Sequence, residues 1–211
     1  MPSYDCALSL EKVDCERGGS PVLKGVNFDA KSSDTVLLFG ANGSGKSTFL
    51  SVVAGLTTPT SGVINWRIGE ASGQGAIDPL GILFVGHRAP VKTALTALEN
   101  LNFWFDLYHA PEDNRAKNGA LETALERVGL LGRENDRVGS FSAGMKRRLD
   151  LARCLIAQRP FWLIDEPTAA LDEAGKAIFC EILKEHACDG GCALVATHEA
   201  LHVDARVVRL G

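Results

Sequence analysis

The sequence predicts an α/β fold with a mixed, largely parallel core sheet, antiparallel N-terminal β-strands and an inserted α-helical subdomain. Three observations predict it. Short apolar runs at residues 35–39, 82–85, 161–164 and 192–197 have the length and composition of buried strands. Segments with helical spacing separate these runs, as in parallel strands joined by helical crossovers. Before the first of them lie two segments of strand-like alternation joined by a glycine-rich turn.

Taken in order, residues 7–17 and 22–30 read as an antiparallel hairpin. Ser9, Glu11, Lys12 and Asp14 interleave apolar positions, and Gly18-Gly19-Ser20-Pro21 supplies the turn. The strand at 35–39 leads into a helix marked by Phe49, Leu50, Val53 and Leu56 and ending near Gly55. Pro59, Ser61 and Gly62 turn the chain into a strand at 63–67, and the glycine-rich polar stretch at 69–79 reads as a surface loop. The strand at 82–85 runs straight into Gly86-His87-Arg88-Ala89-Pro90, a position suited to a functional loop.

Thr96-Ala97-Leu98-Glu99 spells a capping box, and Leu98, Leu101, Phe105 and Tyr108 line one face of the helix it opens. After Pro111, the residues Leu121, Leu125 and Val128 mark another helix, stopped by Gly129. Phe141-Ser142-Ala143-Gly144-Met145 opens a long helix carrying Leu149, Ala152, Leu155 and Ile156 and closed by Pro160. Next come a strand at 161–164 ending in Asp165 and Glu166, a helix at 173–186, a strand at 192–197 followed by His198, and a strand at 206–210. The organisation expected is one domain over residues 1–211, with the helical subdomain at about residues 92–155.

The run Gly40-Ala41-Asn42-Gly43-Ser44-Gly45-Lys46-Ser47-Thr48, set between a buried strand and a helix, is a phosphate-binding loop. Its glycines let the backbone curl so that successive N–H groups face phosphate oxygens at the positive end of the helix. Lys46 can reach the β- and γ-phosphates of a bound nucleotide, and the Ser47 hydroxyl can ligate Mg²⁺. Asp165 supplies a metal-binding carboxylate opposite Ser47, and Glu166 one that polarises the attacking water. His198, directly after an apolar strand, is placed to contact the γ-phosphate and hold that water in line. Ser142 and Gly144 mark a second helix N-terminus with a small-residue approach. One chain has one nucleotide at its own loop, so this second site serves the nucleotide of another subunit.

A net charge of -4 and a pI near 5.7 argue against broad attraction to nucleic acid or anionic lipid. No stretch approaches the roughly 18 consecutive apolar residues of a membrane span, and Met1-Pro2-Ser3-Tyr4-Asp5 lacks the basic and apolar regions of a signal peptide. The expected location is the cytoplasm, with any membrane role exercised through a partner. The six cysteines form no CxxC pair and read as reduced thiols; Cys188 and Cys192 are a weak metal or redox signal.

The ordered set resembles the ATP-binding subunits of ABC transporters, over nearly the whole chain: Gly40 to Ser47 (Walker A), Ser142-Ala143-Gly144 (signature), Leu163 to Glu166 (Walker B), Leu171-Asp172 (D-loop) and His198 (H-loop). The resemblance implies a P-loop hydrolase of ABC-type architecture that binds ATP and Mg²⁺. It further implies a head-to-tail sandwich of two copies, in which Ser142 and Gly144 act on the nucleotide of the other subunit. It adds a membrane permease subunit as partner and a peripheral position on the cytoplasmic face of the bacterial inner membrane. Three finer stretches resemble the branch that serves cytochrome c maturation, the haem exporters: Cys15-Glu16-Arg17-Gly18-Gly19; Gly86-His87 with Leu95 to Leu101; and Phe141 to Gly144.

This sequence departs from the family pattern at three places. His87 stands where most members have the glutamine that senses Mg²⁺ and couples to the membrane subunit; a neutral imidazole can donate to a water in the metal shell. Met145 stands where the signature usually has glutamine, and no tyrosine lies near residues 15–17 to stack on adenine. Arg17 is either a guanidinium that stacks on the base or an exposed turn residue. By this resemblance the leading reading is an ATPase motor subunit that drives a membrane partner within the c-type cytochrome maturation branch; the three alternatives are an ABC transporter for another cargo, a non-transport ABC protein and a P-loop kinase. Acidic charge and a single P-loop count against the second, and Ser142-Ala143-Gly144 with His198 against the third.

Overall fold

In a computed structural model of the chain, residues 4–109 and 114–210 are described. The N-terminal residues 1–3 and Pro111 lie outside them. The chain divides into two compact units, one formed by Met1–Phe84, Arg159–Glu166 and Leu183–Gly211, the other by Val85–Gln158 and Pro167–Ile182.

In the first unit, β1 (Cys6–Arg17) and β2 (Ser20–Lys31) form the antiparallel hairpin. Arg17 pairs with Ser20 across a two-residue turn, and both turn residues, Gly18 and Gly19, have positive φ (57° and 77°). That turn type suits the right-handed twist of a hairpin and favours glycine at both positions. With β4 (Ser61–Ile68) and β5 (Ala71–Gln74) the hairpin makes a four-stranded sheet in the order β2-β1-β4-β5. The stretch at 69–79, expected as a plain surface loop, therefore contains a strand. Its sequence Ala-Ser-Gly-Gln is small, polar and exposed, because an edge strand facing water needs no apolar signature. The same stretch also buries Ile77 completely.

The second sheet has the order β6-β7-β8-β3-β9, from β3 (Thr35–Phe39), β6 (Ile82–Val85), β7 (Phe161–Asp165), β8 (Cys192–Thr197) and β9 (Arg206–Arg209). Every residue of β7 and β8 is buried, as expected for strands covered on both faces. The β3, β8 and β7 pairings are parallel, with Phe39 beside Thr197 and Asp165 beside Ala196. This register brings the C-terminal ends of three strands to one edge of the sheet, the usual place for a ligand in such folds. Helix α1 (Lys46–Val53) follows β3 and buries Phe49, Leu50, Val52 and Val53.

In the second unit, α2 (Ala97–Tyr108) starts with the predicted capping box: the Thr96 hydroxyl accepts from Glu99 N, and the Glu99 carboxylate accepts from Thr96 N. Its buried face is Ala97, Asn100 and Leu101, with Leu98, Phe105 and Tyr108 only half-buried. Asn100 is satisfied internally, donating to the Lys92 and Thr96 carbonyls and accepting from Lys92 N. Helix α3 (Asn114–Arg127) buries Leu121 and Leu125, and α4 (Ala143–Ala157) buries Leu149, Ala152 and Ile156. Helix α4 ends at Gln158, which takes a left-handed conformation (φ 46°) two residues before Pro160. Helix α5 (Glu173–Cys188) leads into β8.

All six cysteines are free thiols and only Cys188 is exposed. The one buried histidine on α5, His186, stacks on Trp162 with ring centroids 3.6 Å apart, and burial pulls its pKa down to about 4. The unfolded chain therefore binds this proton at higher pH than the folded chain does, and stability falls as pH drops from about 6.5 toward 4. The expected loss from this residue between pH 7 and pH 5 is about 2 kcal/mol. Thermal unfolding at both pH values checks it: His186→Phe, which keeps a ring on Trp162, loses less stability over this interval than the wild type, and an equal loss contradicts the assignment.

Candidate functional site

The loop after β3 is shaped to receive an anion. Gly43 and Gly45 have φ of 85° and 95°, and Ser44 N donates to the Ala41 carbonyl at 3.1 Å, which closes the curl. A side chain at Gly40 would set its Cβ 2.3 Å from Ser44 Oγ and 2.8 Å from the Leu210 carbonyl oxygen, so the loop admits only glycine there. Gly45 caps α1 without a side-chain hydrogen bond, which leaves the first-turn N–H groups for an incoming acceptor. The Ser44 hydroxyl is buried and has no hydrogen-bond partner among the described residues. Ala41, Asn42, Gly43 and Ser47 are exposed around this cradle, and Thr48 is half-buried behind it.

Three strand ends then meet through side chains. Lys46 is buried, and its Nζ donates to the Gly40 and Ala41 carbonyls at 2.7 and 3.1 Å. Glu166 Oε1 lies 3.9 Å from that Nζ, and Glu166 Oε2 lies 2.8 Å from His198 Nδ1. The Glu166 carboxylate thus bridges the loop after β3 and the residue after β8. Glu166 adopts a left-handed conformation, φ 48°, while its N–H donates to the Ala196 carbonyl at 2.9 Å. A non-glycine residue held in that region is a strained feature of the kind that gathers at functional sites. Asp165, one residue earlier, is buried at the last position of β7.

The second unit carries a separate constellation. Ser142 caps α4, its Oγ accepting from Met145 N at 3.2 Å. Gly144 supports the loop before α5: a Cβ there would lie 2.8 Å from the Ala170 carbonyl oxygen, and Ala170 itself is left-handed (φ 69°). Asp172 accepts from Arg148 Nη2 at 2.5 Å and from Gly175 N at 3.0 Å. The Arg148 guanidinium holds the Asp172 carboxyl below its ordinary pKa. These residues line a cavity of about 310 Å³. His87 is exposed in the turn after β6. Arg17 is exposed and donates to the Thr57 hydroxyl at 2.9 Å.

Sequence reading missed Arg148, which pins Asp172, and an ionic trio on the buried side of α4. Asp150 is fully buried and accepts from Arg147 Nη1 at 3.0 Å and Arg153 Nη1 at 2.7 Å. The available signal was the spacing: Asp150 lies three positions from each arginine, so all three share a helix face that also carries apolar residues.

Among the described residues, no three or more His, Cys, Asp or Glu side chains gather as a metal cage. Mg²⁺ needs no such cage, because it takes one or two protein oxygens and completes its shell with phosphate and water. Ser47 is exposed at the start of α1 and Asp165 is buried at the end of β7, each with an oxygen of the kind Mg²⁺ takes.

The sequence profile of ABC transporters matches residues 23–169. The chain belongs to the ABC transporter family. It is 40% identical to the cytochrome c biogenesis ATP-binding export protein CcmA of Bradyrhizobium diazoefficiens, over 97% of this chain and 98% of that one. The protein of the same name from Haemophilus influenzae is 36% identical, over 91% and 89% of the two chains. Among solved structures, an ATP-binding cassette described as a dimer in a post-hydrolysis state with ADP and Pi superposes with a TM-score of 0.78 at 28% identity, covering 91% of this chain and 88% of that one. An ATP-binding subunit of an ABC transporter gives the same TM-score at 25% identity, covering 90% and 79%. No helix among the described residues is long and apolar enough to cross a membrane.

Lys46→Ala is expected to weaken binding of a nucleoside triphosphate by about 100-fold, the loss of charge-assisted contacts to phosphate. Titration with a fluorescent ATP analogue checks it, and unchanged affinity would contradict the placement of the phosphates on this loop.

Proposed function

We propose that this chain is the ATP-hydrolysing motor subunit of an ABC transporter complex acting in c-type cytochrome biogenesis, at a haem export or haem-handling step. The observation that carries hydrolysis is the Glu166 carboxylate, set between Lys46 and His198 at the end of β7. The branch rests on identity to the CcmA proteins along nearly the full length of both chains.

In this reading the loop from Gly40 to Thr48 wraps the phosphates of ATP, and Lys46 neutralises charge on the β- and γ-phosphates. Glu166 accepts the proton of a water that attacks the γ-phosphorus, and the bond to the β–γ bridging oxygen breaks, giving ADP and phosphate. His198, hydrogen-bonded to that carboxylate, holds its orientation and contacts the γ-phosphate. Mg²⁺, held by Ser47 and Asp165, would offset charge on the phosphate oxygens. His87, which stands where most family members have glutamine, would donate to a water in the metal's shell.

The chain acts as one ABC-type domain over residues 1–211, its helical subdomain at about residues 92–155 carrying the signature. Ser142 and Gly144 serve the nucleotide of a second copy in a head-to-tail sandwich, and Asp172 of the D-loop is a further nucleotide-binding residue. Four features support this: the α4 N-terminus, the cavity beside it, the single P-loop, and the dimeric cassette to which the fold is similar. A membrane permease subunit is the other partner, and the chain sits peripherally on the cytoplasmic face of the inner membrane. Nucleic acid has no part in this function.

Glu166→Gln is expected to bind ATP, lower turnover by at least 100-fold and accumulate as a dimer. Light scattering with and without Mg-ATP reads this out. A variant that stays monomeric with ATP bound contradicts the sandwich, and one with full turnover contradicts the role of Glu166.

A further inference from the structure

We propose that Arg147 is a positioning residue for hydrolysis, anchoring the backbone beside His87 and beside Glu166 with one buried guanidinium. The inference rests on the reading of Glu166 as the carboxylate that activates water.

The Arg147 side chain is 4% exposed, and its donors point in three directions. Nε donates to the Pro167 carbonyl at 3.1 Å, and Nη1 donates to the Gly86 carbonyl at 2.9 Å and to Asp150 Oδ2 at 3.0 Å. Gly86 immediately precedes His87, and Pro167 immediately follows Glu166. Asp150 is in turn fixed from its other oxygen by Arg153, whose Nε and Nη2 donate to the Tyr108 hydroxyl and whose guanidinium lies 3.9 Å over the Trp104 ring. The guanidinium that holds the two loops is therefore itself held from α2 and α4.

A strained backbone persists only where its surroundings fix it. Glu166 is tied on one side by its own N–H to Ala196, and the next residue's carbonyl is tied by Arg147 Nε. A buried ionic group is weak evidence of added stability, since well-packed apolar residues commonly do as well. What an apolar residue cannot do is donate to two separate loops. A lysine keeps the charge opposite Asp150, but its compact ammonium does not reproduce a planar fork.

The test is Arg147→Lys in the transporter assembled with its membrane subunit, with ATP kinetics and amide hydrogen exchange measured together. The expected result is a kcat lowered at least tenfold with KM for ATP within about twofold, and exchange raised at residues 86–90 and 167–172 but unchanged in β7 and β8. Should that variant fail to fold, Arg147→Met, which keeps the apolar stem, removes the donors and leaves Asp150 paired with Arg153, is expected to change the same observables in the same direction. Unchanged exchange overturns the anchor, whether or not the wild type turns over ATP. Raised exchange with unchanged kcat, or kcat falling only with the folded fraction, overturns the positioning role. Absence of ATP turnover in the wild type overturns the functional reading separately, with the exchange result still deciding the anchor.

Discussion

The Glu166 carboxylate, 3.9 Å from Lys46 Nζ and 2.8 Å from His198 Nδ1, is the contact on which the first unit's chemistry depends. It exists because β3, β7 and β8 run parallel in one register, with Phe39 beside Thr197 and Asp165 beside Ala196. A one-residue slip of β7 would turn its side chains to the opposite faces of the sheet and take Glu166 away from both partners. The fully buried apolar runs of β7 and β8 oppose such a slip, so core packing and site geometry are enforced by the same residues. The interaction also compensates charge: a buried lysine facing only its loop carbonyls would lack a counter-charge, and Glu166 supplies one.

The second unit solves a different problem, placing charge inside a helical layer. Asp150 is wholly buried and two guanidiniums accompany it, with carbonyls and the Tyr108 hydroxyl taking the remaining donors named above. Removing one member of such a buried pair costs roughly 3–5 kcal/mol because the other is left uncompensated. The Arg148–Asp172 pair is more open, with Asp172 largely exposed, and contributes correspondingly less to stability. Its effect is on the conformation of the loop before α5, which also leans on Gly144 through the Ala170 carbonyl.

Much of this was legible in the sequence because the signals were local. The strand at 35–39, the capping box at Thr96 and the α4 cap at Ser142 all follow from adjacent residues. The phosphate loop was equally plain, since its glycines are needed for φ values of 85° and 95° at Gly43 and Gly45. What escaped was set by tertiary neighbours. The strand at Ala71–Gln74 is defined by pairing with β4 and has no apolar pattern of its own. Asp150 was not singled out from its spacing, and only the packing around α4 makes it a buried counter-ion. The left-handed turn at Glu166 gave no signal either, because glutamate is not a residue that advertises positive φ.

Haem staining of c-type cytochromes tests the proposal that hydrolysis at Glu166 drives c-type cytochrome maturation. The cells would carry Glu166→Gln as the only copy of the gene, with the level of the protein at the membrane measured in parallel. Haem-stained cytochromes are expected to disappear while the protein remains at the membrane. Normal holocytochrome levels in those cells would contradict the assignment to this process.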